Sequence, residues 1–252
     1  MGDELKGVIL AGGSGTRLHP LTRITNKHLL PIYDRPMVTY AIEALVGAGI
    51  GEMMLVTGGT HAGEFLRLLG NGHEYGIERL LYAYQEKAGG IAEALGLAER
   101  FAGGSRIVVM LADNMLERSI RPAVENFAGQ ERGARILLSR EDRIEHLRHL
   151  GVPELDAGGR VVRIVEKPDE PPSNYAVTGI YFYDAEVFDV IGTLVPSGRG
   201  ELEITDVNNW YVGQGTMEYD VLEGFWGDAG ESIEAYYEVN DFVRAHRADA
   251  GA

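Results

Sequence analysis

A glycine-rich turn near the N-terminus has the residue types that bind a polyphosphate. The run GVILAGGSGTRL occupies residues 7–18, and Lys27 follows ten residues after Arg17. Glycines let backbone N–H groups approach an anion closely, and two nearby cations can neutralise its charge. The run lacks the lysine of a Walker A loop and the third glycine of a dinucleotide-binding loop. We expect a phosphate-binding turn; the alternative from the residues alone is a tight connection between a strand and a helix.

Two aspartates that follow apolar segments are candidate metal ligands. Asp113 ends the run RIVVMLAD, which is typical of a strand buried on both faces, and Asp228 lies between glycines in WGDAG. Open α/β sheets bind their ligands at the carboxyl ends of the strands. Magnesium usually takes one or two protein carboxylates and leaves its other positions to phosphate and water. Each aspartate has a simpler interpretation, since aspartate often ends a strand or begins a turn.

Two further polar segments have more than one interpretation. Glu166 could accept hydrogen bonds from sugar hydroxyls and Lys167 could hold a phosphate, or the two could form a salt-bridged strand end. His146 and His149 are spaced like a metal-binding pair, but they lie in a charged stretch without an evident third ligand. We expect that stretch to be a solvated segment.

The composition restricts the class of protein. The chain has 252 residues, a net charge of -15 and no cysteine. An acidic chain is a poor nucleic-acid binder, and the lack of thiols excludes disulfides, thiolate metal sites and cysteine nucleophiles. The acidic start of the sequence does not resemble a signal peptide, and no run of 18 apolar residues predicts a membrane span. We therefore expect a cytoplasmic protein that binds neither nucleic acid nor membrane.

The segments around these residues predict an α/β fold. Strand-like and helix-like segments alternate, which favours a mostly parallel sheet covered by helices. Strands are expected at 6–10, 79–85 and 107–111, and helices at 91–101 and at 36–46, with Asp34 near the N-cap of the latter. After about residue 140, strands at 160–166 and 176–183 predict a mixed extension of the sheet. No Pro/Gly/Ser-rich linker divides the chain, so one domain is predicted.

In their order along the chain, these segments resemble the sugar-phosphate nucleotidylyltransferases, and among them the glucose-1-phosphate thymidylyltransferases. The matching motifs extend over nearly the whole chain: LAGGSGTRL, KHLLPIYDRPM, LADN, EKP, SNYAVTGIYFYD, GELEITDVN and WGDAG. The resemblance implies a single-domain, Rossmann-like, three-layer α/β/α nucleotidyltransferase fold, with a nucleotide-binding half over about 1–115 and a sugar-phosphate-binding half over about 116–252. It also implies a magnesium-dependent enzyme that transfers a nucleotidyl group from dTTP to glucose 1-phosphate and releases pyrophosphate.

The same resemblance implies roles for individual residues. The implied catalytic residues are Arg17, Lys27, Asp113 and Asp228, of which the two aspartates hold Mg²⁺. The implied nucleotide-binding residues are Leu10, Ala11, Gly12, Gly13, Ser14, Gly15, Thr16, Gln85, Gly90 and Asp113. The implied sugar-phosphate-binding residues are Asn114, Gly151, Glu166, Lys167, Val177 and Tyr181. Among these, Gln85 and the backbone near Gly90 would recognise the pyrimidine.

Departures from the family pattern leave the substrates open. Ala112 replaces a usual glycine, His28 stands where glutamine is frequent, and residues 86–92 differ from the usual segment after Gln85. UTP or another triphosphate with an unusual sugar or cyclitol phosphate is therefore one alternative. A non-catalytic regulatory protein that binds nucleotide sugars is another. Because the chain stops soon after its last predicted helix, we expect it to lack the helical C-terminal region of longer members. Monomer and homodimer both stay open.

Overall fold

The structure, a computed structural model, describes residues 5–13 and 15–250, with side chains to residue 246. Ser14, one of the predicted nucleotide-binding residues, lies outside the described residues. The strands are β1 Lys6–Ala11, β2 Pro31–Ile32, β3 Arg35–Pro36, β4 Glu52–Gly58, β5 Arg79–Gln85, β6 Ile107–Leu111, β7 Asn114–Leu116, β8 Ala134–Arg140, β9 Gly151–Leu155, β10 Val161–Glu166, β11 Tyr175–Tyr183, β12 Met217–Val221 and β13 Trp226–Asp228. The helices are α1 Val38–Gly47, α2 Ala62–Leu69, α3 Ile91–Gly96, α4 Glu99–Ala102, α5 Arg121–Gly129, α6 Ile144–Leu147, α7 Val187–Thr193, α8 Ile204–Gly213 and α9 Ile233–Ala250.

The central sheet is mostly parallel in its first half and mixed in its second, as predicted. β1 lies between β4 and β6, β5 lies beyond β4, and these four strands pair in parallel. β11 runs antiparallel beside β6 and also pairs with β8 and β9. β12 extends the sheet from β8 and β10 extends it from β9. The parallel strands therefore all point their carboxyl ends at one edge.

Helices cover both faces of this sheet because successive side chains of a strand point to opposite faces. Val8 and Leu10 of β1 pack in a buried cluster with α3, α4, α7 and α8. Ile9 and Ala11 pack in a second cluster with α1, α2 and α5. Burial of each large apolar side chain contributes about 1.5–3 kcal/mol, so both faces stabilise the sheet. The result is the predicted single domain of three layers.

A smaller layer covers the carboxyl edge of the parallel strands. β7 and β13 pair antiparallel, which places Asp228 opposite Asn114. A third apolar cluster joins this pair to α9 and to the segment that follows the glycine-rich turn; among its members are Leu18, Leu30, Met115 and Val239. Neither strand was predicted, since each has three residues and no alternating pattern can be recognised over that length.

Two helix predictions were wrong at their boundaries. Asp34 does not cap α1, because the chain first forms β3 and the helix begins at Val38 with Met37 before it. The Asp34 carboxylate instead accepts a hydrogen bond from Arg35. The helix expected at 91–101 is interrupted after Gly96, a residue with low helix propensity, and resumes at Glu99. No helix in the described part of the chain has the length and hydrophobicity needed to cross a membrane.

Candidate active site

A cavity of about 340 Å³ opens at the carboxyl edge of the parallel strands. Most of the residues predicted from the sequence line it together: Leu10, Gly12, Gly13, Arg17, Lys27, Gln85, Gly90, Asp113, Asn114, Gly151, Glu166, Lys167, Val177, Tyr181 and Asp228. Ala11 is buried below the lining, and Gly15 and Thr16 lie in the turn outside it. Residues from both halves of the chain thus form one pocket.

A cluster of three charged side chains lies at the centre of the pocket. The Lys27 ammonium group donates a hydrogen bond to Asp113 Oδ2, and only 15% and 7% of these two side chains are exposed. Asp228 Oδ1 accepts the N–H of Gly230 at 2.8 Å. These side chains come from the segment after the glycine-rich turn, from the end of β6 and from β13. Three remote parts of the sequence therefore meet at one point.

The protonation states in this cluster follow from burial and from the neighbouring charges. Burial alone would raise the pKa of Asp113, but Lys27 and His28 beside it outweigh burial and hold the pKa far below its usual value. Burial alone would lower the pKa of Lys27, but the two carboxylates raise it. Burial and repulsion by Asp113 raise the pKa of Asp228. The cluster thus has one firmly ionised carboxylate and a second that binds a proton more readily, so that additional positive charge nearby would favour its ionised form.

The charged cluster packs directly against Gly230, whose lack of a side chain makes room for it. A β-carbon built on Gly230 would lie 2.5 Å from Asp113 Oδ2, 2.6 Å from Lys27 Nζ and 3.2 Å from Asp228 Oδ1. The two carboxylates that converge here at the pocket wall are hard oxygen ligands of the type that magnesium takes in sites shared with phosphate. A divalent cation would also supply the positive charge that favours ionised Asp228. The residues present therefore fit a magnesium ion.

Four basic side chains line the pocket: Arg17, Lys27, Lys167 and Arg199. Arg199 forms a two-pronged ion pair with Glu203, at 2.9 and 2.8 Å. Lys167 lies 3.5 Å from Glu166 Oε1. No carboxylate among the described residues pairs with the Arg17 guanidinium, which is exposed at the glycine-rich turn. Arg17 is therefore the cation most available to an entering anion.

Gln85 presents an oxygen to the pocket at the end of β5. Its side-chain nitrogen donates to the carbonyl of Gly90 at 3.2 Å and to the carboxylate of Glu93. A carboxylate can only accept, so these two bonds fix which end of the amide is nitrogen. The amide oxygen lies 3.0 Å from the position of a β-carbon on Gly12. The pocket therefore offers a hydrogen-bond acceptor here.

The backbone beside Gln85 is tied to the segment before α8. The N–H of Leu202 donates to the carbonyl of Gly89 at 2.8 Å, and the carbonyl of Leu202 accepts the N–H of Ala92 at 3.2 Å. Gly90 has a φ of 99°, and a β-carbon there would collide with the carbonyl of Leu202. Only glycine fits between these two segments.

Glu166 and Lys167 form the opposite wall. Glu166 accepts a hydrogen bond from the Thr205 hydroxyl at 2.7 Å. Lys167 has a left-handed backbone, with a φ of 46°, and its N–H donates to the carbonyl of Leu150 at 2.9 Å. A non-glycine residue in this conformation costs about 1–2 kcal/mol, which the surrounding bonds offset. Both charged side chains line the pocket, and the ion pair expected of a salt-bridged strand end is present as well.

Asn114 and Tyr181 form the wall between the charged cluster and Glu166. Asn114 Oδ1 accepts the N–H of Gly179 at 2.9 Å and the indole N–H of Trp226 at 2.7 Å. The Asn114 amide nitrogen lies 3.2 Å from Asp113 Oδ1. Tyr181 is 5% exposed, and burial raises its pKa above the usual value, so its hydroxyl stays protonated. Asn114 thus links the tryptophan to the aspartate.

The structure adds residues that the sequence analysis did not assign. His28, Arg199, Trp226 and Glu231 also line the pocket. Arg199 directly precedes the recognised motif GELEITDVN, and Trp226 is the first residue of WGDAG, but of these two motifs only Asp228 was given a role. His28 is buried, and burial lowers its pKa, so it is neutral beside Asp113. These contacts connect distant segments and leave no local signal in the sequence.

The segment around His146 is mostly exposed, as predicted, but the His146 side chain itself is partly buried. The His146 side chain is 15% exposed, its Nδ1 is 2.5 Å from Glu141 Oε2, and its Nε2 is bonded to Glu231. The hydrogen bond with Glu231 is the largest of the contacts that raise the pKa of His146. Arg143 and His146 together lower the pKa of Glu141 to about 2. His149 does not join a metal pair, and it lines the pocket.

Comparisons with known proteins agree with this architecture. A family profile described as nucleotidyl transferase matches residues 6–246. The chain belongs to the nucleotidyl transferase family. It is 42% identical to a glucose-1-phosphate thymidylyltransferase of Actinoplanes over 244 residues, which cover 96% of this chain and 78% of that protein. It is 40% identical to the Neisseria meningitidis protein of the same name, over 95% of this chain and 83% of the other.

A solved structure from Bacillus anthracis is similar in both fold and sequence. It is described provisionally as a glucose-1-phosphate thymidylyltransferase in complex with sucrose, and it superimposes with a TM-score of 0.89 at 47% identity over 95% of each chain. The predicted fold class and the predicted enzyme class are therefore confirmed: the chain is a nucleotidyltransferase with an α/β fold of the Rossmann type. The individual residue roles remain predictions.

Filling the space at Gly230 tests the charged cluster. We expect Gly230→Ala to lower nucleotidyl transfer by about 100-fold or more, because its methyl group would displace the Asp113 and Lys27 side chains. The matched control is Gly129→Ala at the end of α5, where an added β-carbon meets open space. Rates and melting temperatures of both variants should be compared. Equal activity in the two variants would contradict the geometry described for the cluster.

The contacts of His146 predict a pH-dependent contribution to stability. A pKa raised by folding means that the contribution is present below pH 6.5 and lost as the pH rises through the raised pKa. We expect His146→Gln to lower the melting temperature clearly at pH 6 and little at pH 10. The control is His73→Gln at an exposed position. The measurement is thermal unfolding across this range, and a pH-independent difference would oppose the assignment of a charged His146.

Proposed function

We propose that this enzyme transfers the thymidylyl group of dTTP to glucose 1-phosphate in a magnesium-dependent reaction. The observation that carries the proposal is the convergence of Lys27, Asp113 and Asp228 next to Gly230, in a pocket that Arg17 also lines. Such a site can bind phosphate oxygens and a divalent cation together. The names of the Actinoplanes and Neisseria relatives support the choice of substrates. Because these substrates are cytoplasmic metabolites, we also propose a cytoplasmic location.

The two halves of the chain would divide the substrates between them. Residues up to about 115 would bind the nucleotide, with the Gln85 amide oxygen accepting the imide N–H of thymine. Residues from about 116 onward would bind the sugar phosphate, with Glu166 on sugar hydroxyls and Lys167 on the phosphate. Tyr181 and Asn114 would lie where the two substrates meet. The position of each of these side chains on the pocket wall supports the division.

The proposed reaction is an in-line substitution at the α-phosphorus. An oxygen of the sugar phosphate forms the new P–O bond, the bond to the β-phosphate oxygen breaks, and its electron pair leaves with pyrophosphate. The attacking phosphate is already an anion, so no general base is required. Phosphoryl transfer needs alignment and positive charge where negative charge develops. The site has no serine–histidine pair in the described lining, and it offers cations instead.

Each polar side chain then has a task in the transfer. The glycine-rich turn and Arg17 would hold the triphosphate and stabilise the departing pyrophosphate. Lys27 would neutralise the charge that grows on the α-phosphate, and its bond to Asp113 keeps it in place. Asp113 and Asp228 would hold Mg²⁺, which when bound neutralises phosphate charge. Lys27 and Asp113 are largely buried, so their charges act through a low dielectric, where their effect is largest.

Pyrophosphate release tests the substrates. The enzyme should be mixed with Mg²⁺, each of dTTP, UTP, dCTP and dGTP, and each of several sugar 1-phosphates. We expect dTTP with glucose 1-phosphate to give the highest kcat/KM. Because Gln85 offers an acceptor at the base, triphosphates with an imide N–H should be favoured over dCTP. A clear preference for another pair would replace dTTP or glucose 1-phosphate in the proposal.

Removing the Lys27 charge tests the mechanism. We expect Lys27→Met to lower kcat by about 100- to 1000-fold, on the scale of a lost transition-state donor at ~3–4 kcal/mol. KM should change less, since Lys27 acts mainly on charge that develops during transfer. The control is Arg100→Ala, an exposed cation on α4 outside the pocket lining. A Lys27→Met enzyme that folds and keeps its full rate would refute the role.

A further inference from the structure

Glu231 brings a carboxylate to the pocket that the proposed mechanism does not use. It lies three residues after Asp228, just before α9, and its side chain is 13% exposed. Its Oε2 is hydrogen-bonded to His146 Nε2. No described side chain bonds to its other oxygen, and the residue lines the pocket. One acceptor atom is therefore free for a ligand.

His146 holds this carboxylate in one orientation. The other ring nitrogen of His146 lies 2.5 Å from Glu141 Oε2. Glu141 in turn accepts hydrogen bonds from the backbone and the guanidinium of Arg143, at 2.8 and 2.9 Å. A histidine between two carboxylates donates from both nitrogens. Because His146 is itself fixed on its far side, Glu231 cannot turn without breaking a charged hydrogen bond.

Glu231 lies on the part of the pocket wall that leads to Gly151 and Glu166, which we assign to the sugar phosphate. The His146 ring stacks over Trp226 at 6.4 Å between ring centroids, and Trp226 donates to Asn114. His149 and Leu150, which follow α6 directly, also line the pocket. The wall that carries Glu231 therefore continues into the wall at Gly151, where the β-carbon position is 3.6 Å from Glu166 Oε2.

We infer that Glu231, positioned by His146, determines sugar specificity by accepting a hydrogen bond from one ring hydroxyl of the sugar 1-phosphate. This inference rests on the proposed function. A half-buried carboxylate oxygen forms a stronger hydrogen bond than a neutral acceptor does. It also discriminates, since a sugar without that hydroxyl would leave the charged oxygen unpaired in the pocket. The sugar 1-phosphate that receives the nucleotidyl group would therefore carry a hydroxyl on a carbon away from the phosphate.

A series of deoxy sugars tests the contact. Pyrophosphate release should be measured with dTTP and with glucose 1-phosphate or its 2-, 3-, 4- and 6-deoxy analogues. In the natural enzyme, we expect one analogue to lose about 10- to 100-fold in kcat/KM through Glu231. In Glu231→Ala, the kcat/KM for glucose 1-phosphate should fall to the level of that analogue. The losses in kcat/KM caused by removing the other hydroxyls, which we call their penalties, should remain. The KM for dTTP should stay unchanged.

Two further variants separate this role from a structural one. Glu231→Gln keeps the size of the side chain but only a neutral acceptor, so we expect the penalty for the same analogue to shrink below about 10-fold. His146→Gln should raise the KM for glucose 1-phosphate without lowering kcat to the same degree, and the same analogue should again lose its penalty. Glu234→Gln, an exposed carboxylate on the first turn of α9, is the matched control and should leave every penalty as it was.

The outcomes are distinguishable. The inference is overturned if Glu231→Ala lowers kcat/KM for all five sugars by the same factor, or if it raises the KM for dTTP as much as the KM for glucose 1-phosphate. It is also overturned if the penalty for every deoxy analogue is the same in Glu231→Ala as in the natural enzyme. In each of these cases the natural enzyme still releases pyrophosphate, so the proposed function stands. If no pair of substrates releases pyrophosphate with the natural enzyme, the proposed function fails and this inference fails with it.

Discussion

The ion pair between Lys27 and Asp113 is the interaction on which the rest of the site depends. Burying one charge of this pair without the other would cost several kcal/mol, so the two positions require each other. Asp228 stands against the same pair, and Asn114, His28 and Gly230 surround it. The pocket is therefore built around an ion pair whose two members are needed together, with a second carboxylate beside it that additional positive charge would stabilise.

The fold produces this arrangement by bringing remote segments to one edge. The parallel strands carry the glycine-rich turn and Asp113 to their carboxyl ends, as open α/β sheets do. The antiparallel pair of β7 and β13 then returns Asp228 to a position opposite Asn114. The apolar cluster under α9 holds this pair and the segment before Lys27 together. The positions of the proposed catalytic side chains therefore depend on the pair of β7 and β13 as well as on the main sheet.

The main sheet could be predicted from the sequence because its strands are long, apolar and separated by helices. The glycine-rich turn and the two aspartates could be singled out because their residue types are suited to phosphate and metal. Their convergence had to be assumed, since it depends on β7 and β13, which are too short to show a pattern. The partial burial of His146 was missed for a similar reason: its partner Glu231 lies 85 residues away, so the charged local sequence does not reveal the contact.

The hydrogen bonds between Leu202 and the loop at Gly89 mechanically couple the two ends of the pocket. Leu202 belongs to the same short segment as Arg199 and Glu203, whereas Gly89 adjoins the Gln85 amide. Because Gly90 leaves no space between the two backbones, a displacement of either segment has to break these hydrogen bonds or shift the other segment as well. The nucleotide-side loop and the segment that carries Arg199 are thus fixed to each other as one part of the pocket wall.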